Sequence, residues 1–123
     1  VLNLKKKVDA GADYIITQMF FYYAKFFEFE KACRDAGITV PIIPGLKILR
    51  TANQLKTLPR AFYIDLPDEL IDQVQKNPEH TAEIGKQWTL KQSRELLEKG
   101  VKTLHYYVLN DVHAVVDVVK KLT

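Results

Sequence analysis

The sequence predicts an α/β fold in which parallel strands alternate with helices. Segments with apolar residues at helical spacing are separated by short apolar runs that suit strands. These runs are apolar almost throughout, which is typical of parallel strands covered on both faces. A glycine lies between each predicted helix and the strand that follows it, as in a common type of helix C-cap. The predicted strands are 13–21, 40–43 and 103–109, and the glycines are Gly11, Gly37 and Gly100.

The first half of the chain contains two predicted helices and two predicted strands. A helix at about 3–10 carries a run of lysines, which suits a helix C-terminus, and the first strand follows it. A second helix, at about 24–36, has a stripe of apolar residues. The strand 40–43 comes next, and Pro44–Gly45 is predicted to close it with a turn.

The second half is mostly helical. One helix is predicted to start near Thr51, with Pro59 stopping or bending it, and Pro67 opens another. A longer helix spans about 78–99 and precedes the third strand. Asn110 is a candidate cap for the final helix, which carries a valine-rich stripe.

The composition is that of a globular protein with one core. The 123 residues are 47% hydrophobic and 27% charged, which is ordinary for such proteins. The net charge of +3 is too small to favour nucleic acid as a partner. No apolar run reaches the roughly 18 residues of a membrane span, no signal peptide is visible, and three scattered histidines do not suggest a metal site. The single cysteine, Cys33, is expected to be a small buried thiol in a reducing compartment such as the cytoplasm.

The chain is expected to be part of a larger domain. It opens with Val1 inside a predicted helix, and three strands are few for a complete doubly wound domain. Junctions of the helix–glycine–strand type are common in (β/α)8 barrels. In that fold functional groups lie just past the C-terminal ends of the strands, which here are the segments 18–23, 45–54 and 109–113.

Gln18 is the first candidate for a functional residue. It interrupts the apolar run of the first predicted strand, where a buried amide costs free energy unless it is hydrogen-bonded. Either the core or a ligand would satisfy it. Its position near the C-terminal end of the strand favours a ligand, and an amide offers both a donor and an acceptor.

Four motifs carry a resemblance to a known family. Their order and spacing are similar to those of the methylenetetrahydrofolate reductases, and the likeness covers essentially the whole chain. It implies a (β/α)8 TIM-type barrel, of which residues 1–123 would be the last three β/α units. The motifs are Thr17-Gln-Met-Phe-Phe21, Ile42-Ile-Pro-Gly45, Asn53-Gln54 and Leu104-His-Tyr-Tyr-Val-Leu-Asn110.

The resemblance also implies an activity and its partners. The family reduces 5,10-methylenetetrahydrofolate to 5-methyltetrahydrofolate in one-carbon and methionine metabolism, with FAD that NAD(P)H reduces. Its acidic catalytic groups lie on earlier strands, so no catalytic residue is expected within residues 1–123, and the missing N-terminal barrel half is an expected partner. A homo-oligomer is also expected.

The resemblance assigns six site residues. Gln18 matches the glutamine of the shared folate and nicotinamide site, and Gln54 matches a second substrate glutamine. Asn3 and Lys7 match residues that hold the ribityl and phosphate part of FAD. From the residues alone, Lys7 would be an ordinary exposed helix lysine and Gln54 a polar residue at a helix start. The remaining two, Tyr107 and Leu109, match strand residues beside flavin and substrate.

The sequence departs from the family pattern in several places. Asp111 stands where many relatives have an arginine near the folate glutamate tail, and Lys47 or Arg50 is a candidate replacement for that cation. Tyr23 stands where many have an acidic residue, and the segment around Leu58 lacks an aromatic residue that some relatives stack on the pterin. A non-catalytic α/β fragment or interaction module that self-associates therefore remains the alternative, because an open half-barrel exposes strand edges.

Overall fold

The structure confirms an α/β fold with parallel strands. It is a computed structural model that describes residues 2–62, 66–108 and 112–122. The helices are α1 (Leu2–Asp9), α2 (Tyr23–Asp35), α3 (Gln54–Phe62), α4 (Asp68–Lys76), α5 (Thr81–Glu98) and α6 (Val112–Leu122), and a 3₁₀ turn (Pro78–His80) precedes α5. The strands are β1 (Ile15–Ile16), β2 (Ile42–Ile43), β3 (Gly45–Leu46) and β4 (His105–Tyr106).

The strands form two two-stranded parallel sheets, and Pro44 lies between β2 of the first and β3 of the second. β2 pairs in parallel with β1, Ile42 lying opposite Ile15, and β3 pairs in parallel with β4, Gly45 lying opposite His105. Pro44 has no N–H for a ladder bond, but its carbonyl accepts the N–H of His105 at 3.0 Å. The prediction that Pro44–Gly45 closes the strand with a turn is therefore wrong, because Gly45 begins β3, which pairs with β4.

The first and third strands are shorter than predicted. β1 covers two residues of the predicted 13–21, and β4 covers two of the predicted 103–109. After Thr17 the backbone carbonyls find side-chain partners, since Phe20 and Phe21 accept hydrogen bonds from α5. Leu109 and Asn110 lie outside the described residues, so the end of the predicted third strand and its helix cap stay predictions.

The main core lies between the sheet and the helices. Its buried residues come from β1, α2, the segment after α2, β2, β3 and α5: Ile15, Phe26, Cys33, Ile38, Ile42, Leu46 and Leu96. A second cluster joins the segment after β1 to α3 and α4, and a third joins Ile48 to α5 and α6. Both Leu46 and Ile48 are fully buried on this helix side, which leaves the other face of the strand for the site described below.

The helix boundaries follow the local chemistry. Helix α3 does not end at Pro59 but continues to Phe62. Pro67 is the N-cap of α4 rather than its first residue, which still places two acidic residues in the first turn, where they favour the helix dipole. The glycines after α1, α2 and α5 all have positive φ, as predicted for the junctions. Within the described ranges no helix is long and apolar enough to cross a membrane.

Candidate functional site

A cavity of about 580 Å³ lies at the C-terminal ends of the strands. It brings together three residues that are far apart in sequence and that the motifs single out: Gln18, Gln54 and Tyr107. Leu109, the fourth predicted substrate residue, lies outside the described residues. The described lining consists of Gln18, Met19, Lys47, Gln54, Leu58, Tyr107 and Val108.

Gln18 does not lie in a buried strand. It follows the end of β1 and is exposed at the cavity, so the sequence-based premise of a costly buried amide is wrong. The reason is that β1 ends at Ile16, two residues before the glutamine. Its position past a strand end agrees with the place where barrel folds carry functional groups.

Tyr107 braces the backbone next to Gln18. Its hydroxyl donates a hydrogen bond to the Thr17 carbonyl at 2.7 Å, across 90 residues of sequence. The ring lies over Gly45, where an added Cβ would lie 2.6 Å from the ring and would also clash with the Thr17 carbonyl. The Gly45 N–H in turn donates to Thr17 Oγ1 at 2.9 Å. These contacts fix Thr17 from β3 and from the residue after β4.

Two side chains of α5 anchor the segment that follows Gln18. Trp88 donates its indole N–H to the Phe21 carbonyl at 2.9 Å, and Gln92 donates to the Phe20 carbonyl at 3.1 Å. Neither Trp88 nor Gln92 was among the site residues predicted from the sequence. A signal was present, because two donors one turn apart on an amphipathic helix suit backbone acceptors.

Gln54 has a structural task besides its position at the cavity. Its Oε1 accepts the backbone N–H of Arg50 at 2.6 Å and that of Thr51 at 3.1 Å. This arrangement resembles the reciprocal cap of a Thr-x-x-Gln sequence at a helix start. The amide oxygen of Gln54 therefore acts as a polar group at a helix start, which was the alternative role expected from the sequence. The amide NH₂ is the part of Gln54 that a ligand could use as a donor.

Lys47 is the charged residue of the described lining, and it is only 7% exposed. It lies between Leu46 and Ile48, both of which pack on the helix side. Because successive side chains of an extended segment point to opposite faces, Lys47 points to the cavity face. Arg50, in contrast, is exposed and is not part of the described lining.

Asn3 and Lys7, the predicted FAD residues, lie apart from the described cavity lining. Both are exposed on α1, four residues apart and hence on one face of the helix. An amide and an ammonium group on one face suit hydroxyl and phosphate groups. Asp111 lies outside the described residues, and Leu58 supplies an aliphatic wall where an aromatic residue was noted as missing.

The tyrosine before Tyr107 faces the other way. Tyr106 Oη lies 2.7 Å from Ser93 Oγ on α5; burial raises the pKa of Tyr106, and the Ser93 hydrogen bond partly offsets that rise. His105 packs edge-on against Tyr107, with ring centroids 4.7 Å apart. His105 and Tyr107 therefore lie on one face and Tyr106 on the other, as the side-chain alternation of a strand requires.

The lining suits binding better than proton transfer. Its described polar groups are two amides, a phenol already donating to backbone, and one lysine, with aliphatic and thioether groups between them. No carboxylate occurs in this described lining. Across the described ranges, no cluster of three His, Cys, Asp or Glu residues is placed to hold a metal ion.

Comparisons with known proteins point to one family. A sequence model of the family described as methylenetetrahydrofolate reductase matches residues 1–123. A maize protein named methylenetetrahydrofolate reductase (NADH) 1 is 36% identical over 110 residues, covering 87% of this chain and 18% of its own length. The Escherichia coli 5,10-methylenetetrahydrofolate reductase is 34% identical over 113 residues, covering 89% of this chain and 38% of its own length. A Caenorhabditis elegans protein named as a probable NADPH-dependent member is 29% identical, with 99% of this chain and 19% of its own length covered.

A solved structure shares the fold. It is described as an uncharacterized protein from Clostridium thermocellum that binds two copies of 5-methyl-5,6,7,8-tetrahydrofolic acid. The TM-score is 0.57 at 19% sequence identity, and the match covers 98% of this chain and 46% of that one. The chain thus spans between about a fifth and two fifths of the length of the three named sequence relatives.

Proposed function

Since the chain belongs to the methylenetetrahydrofolate reductase family, we propose that it is part of an FAD-dependent enzyme that reduces 5,10-methylenetetrahydrofolate with NAD(P)H. Its own part is a wall of the site that folate and nicotinamide share. The cavity that gathers Gln18, Gln54 and Tyr107 carries this proposal. Two amides in a mostly apolar wall suit a flat heterocycle that has both donors and acceptors on its edge.

The hydrogen bonds of the wall determine which atoms of each residue are left to contact a ligand. The NH₂ group of Gln54 is a donor toward a ligand, because its oxygen is held by Arg50 and Thr51. The Tyr107 hydroxyl is engaged with Thr17, so the ligand would meet its ring. Gln18 sits on a segment braced by Tyr107 and by α5, which restricts where its amide can lie.

We propose that these residues are the last three β/α units of a (β/α)8 barrel. Three observations support this: the strands are parallel, they lie side by side in chain order, and the cavity lies at their C-terminal ends. The relatives named above are two and a half to five times longer. The acid that assists the reaction and the groups that tune the flavin would then lie on the other strands, and residues 1–123 alone would be inactive.

The donor chemistry on α1 fits FAD. Asn3 would bind the ribityl hydroxyls and Lys7 a phosphate group, and FAD, when bound, would supply the hydride chemistry between nicotinamide and folate. Lys7→Met in the full-length protein should release FAD more readily on dilution than Lys6→Met, which changes another exposed lysine of α1. Equal flavin retention in the two variants would contradict this role of Lys7.

The experiment that tests the function follows flavin colour in two half-reactions. Full-length protein purified with FAD should be yellow, should bleach when NADH or NADPH is added without oxygen, and should regain colour with 5,10-methylenetetrahydrofolate. Comparing the two nicotinamides also decides which one the enzyme uses. A protein that holds FAD but is not reoxidised by the folate would refute the proposed reaction.

A second candidate function rests on exposed apolar residues. Val112, Val116 and Val119 are 55%, 41% and 40% exposed on α6, at helical spacing, and Ile16 of β1 is 38% exposed. Such a surface suits either the rest of a barrel or a second copy of the chain. A colourless, folate-indifferent homodimer whose association is abolished by Val116→Lys would favour the interaction module over the enzyme.

A further inference from the structure

We infer that Lys47 makes the cavity selective for a ligand that carries an anionic oxygen. This inference rests on the proposed function and adds to it a residue that controls ligand choice. The charged residue of the described lining is a lysine, at 7% exposure. The rest of that lining is uncharged: Gln18, Met19, Gln54, Leu58, Tyr107 and Val108.

The direction of the Lys47 side chain follows from its neighbours. Leu46 packs in the core with Cys33 and Leu96, and Ile48 packs with residues of α5 and α6. Both are fully buried on the helix side, so the residue between them points to the opposite face. That face is the one on which Gly45 meets the Tyr107 ring and the cavity lies.

A cation in this position acts more strongly than one on the surface. Charge interactions grow as the surroundings become less polar and are then less screened by salt. Lys47 therefore favours an anionic oxygen over a neutral group of the same shape, whatever other contacts its ammonium group makes. Arg50 is a poorer candidate for this role, because it is exposed and outside the described lining.

Two parts of the proposed ligands carry anionic oxygens. One is the glutamate carboxylates of the folate, and the other is the phosphates of the nicotinamide cofactor. An ammonium group serves either as a point charge. The chemistry inferred for Lys47 is the same in both cases, so the experiment must separate the two sources.

The test measures binding to the full-length protein by titration calorimetry. The first arm compares 5-methyltetrahydrofolate with its dimethyl ester, and the second compares the reduced nicotinamide dinucleotide with reduced nicotinamide riboside, which lacks phosphate. Lys47→Met keeps the length of the side chain without the charge, and Lys47→Arg restores a charge. Lys56→Met, at an exposed lysine of α3 that is outside the described lining, is the control.

In one arm, Lys47→Met should weaken the binding of the anionic ligand about 10- to 100-fold, the range for a hydrogen bond to a charged group. The dissociation constant of the neutral analogue should change less than about threefold, the scatter of ordinary surface substitutions. The dissociation constants of all ligands should change as little in Lys56→Met. Lys47→Arg should recover most of the loss. Equal losses for the anionic and neutral ligands, or no loss in either arm, would overturn the inference about Lys47 while wild-type binding leaves the proposed function standing. Failure of the wild-type protein to bind folate and nicotinamide would overturn both.

Discussion

The hydrogen bond between Tyr107 and Thr17 gives the sharpest prediction about how the cavity is held. Tyr107→Phe removes the 2.7 Å bond to the Thr17 carbonyl but keeps the ring over Gly45. A neutral hydrogen bond contributes about 1 kcal/mol, and leaving a partly buried carbonyl without it can raise the loss to about 2 kcal/mol. The free energy of unfolding should therefore fall by about 1–2 kcal/mol.

Tyr106→Phe is a matched control, because Tyr106 also makes a 2.7 Å hydrogen bond, to Ser93 on the helix side. Both variants should lose similar stability in urea unfolding of the full-length protein, followed by circular dichroism. Only Tyr107→Phe should also weaken folate binding, by about fivefold for each 1 kcal/mol of lost positioning. The reason is that Thr17 directly precedes Gln18.

A double-mutant cycle with Gln18→Ala tests whether Tyr107 acts through Gln18. If it does, the two binding losses should be less than additive, with a coupling of at least about 0.5 kcal/mol. Unchanged folate binding in Tyr107→Phe, an equal loss in Tyr106→Phe, or strictly additive losses in the cycle would refute the reasoning.

Three further predictions follow from single contacts. Gln54→Glu keeps the oxygen that accepts the backbone N–H groups of Arg50 and Thr51 but removes the NH₂ donor. It should therefore keep the stability of the protein and lose folate affinity, whereas Gln54→Ala should lose both. An unaltered folate dissociation constant in Gln54→Glu would rule out the donor role. Gly45→Ala should lower the free energy of unfolding by about 1–3 kcal/mol, as overpacking does, because the new Cβ meets the Tyr107 ring and the Thr17 carbonyl. Gly11→Ala is the control: a Cβ there has no atom within 4 Å, but the φ is 122°, so this variant should lose only the free energy of its backbone strain. The two losses are compared through the denaturation midpoints of the variants. Burial raises the pKa of the Cys33 thiol. The stability that the thiol contributes is therefore complete below its ordinary pKa and is lost as pH rises above it. In urea titrations Cys33→Ser should lack this alkaline loss of stability, and in the wild-type protein Cys33 should react with a thiol reagent only as fast as the protein unfolds.

The sequence predicted the helices and the place of the site better than it predicted the strands. Helical periodicity located α2 and α5 to within a few residues, because each has an apolar stripe that a core must cover. The strands were overestimated, because an apolar run cannot tell a ladder from a buried loop whose carbonyls are bonded by side chains. The segment after β1 is such a loop, held by Trp88 and Gln92.

The sequence by itself determined the family, the α/β alternation and the identity of the amides at the cavity. These follow from local patterns and from motifs such as Thr17-Gln18 and Asn53-Gln54, which a linear chain displays directly. Tertiary structure alone decided that Gln18 lies past the strand and is exposed. It also decided that Lys47 faces the cavity. The physical reason is that both outcomes depend on which strands pair and on partners up to 90 residues away, which no local pattern encodes.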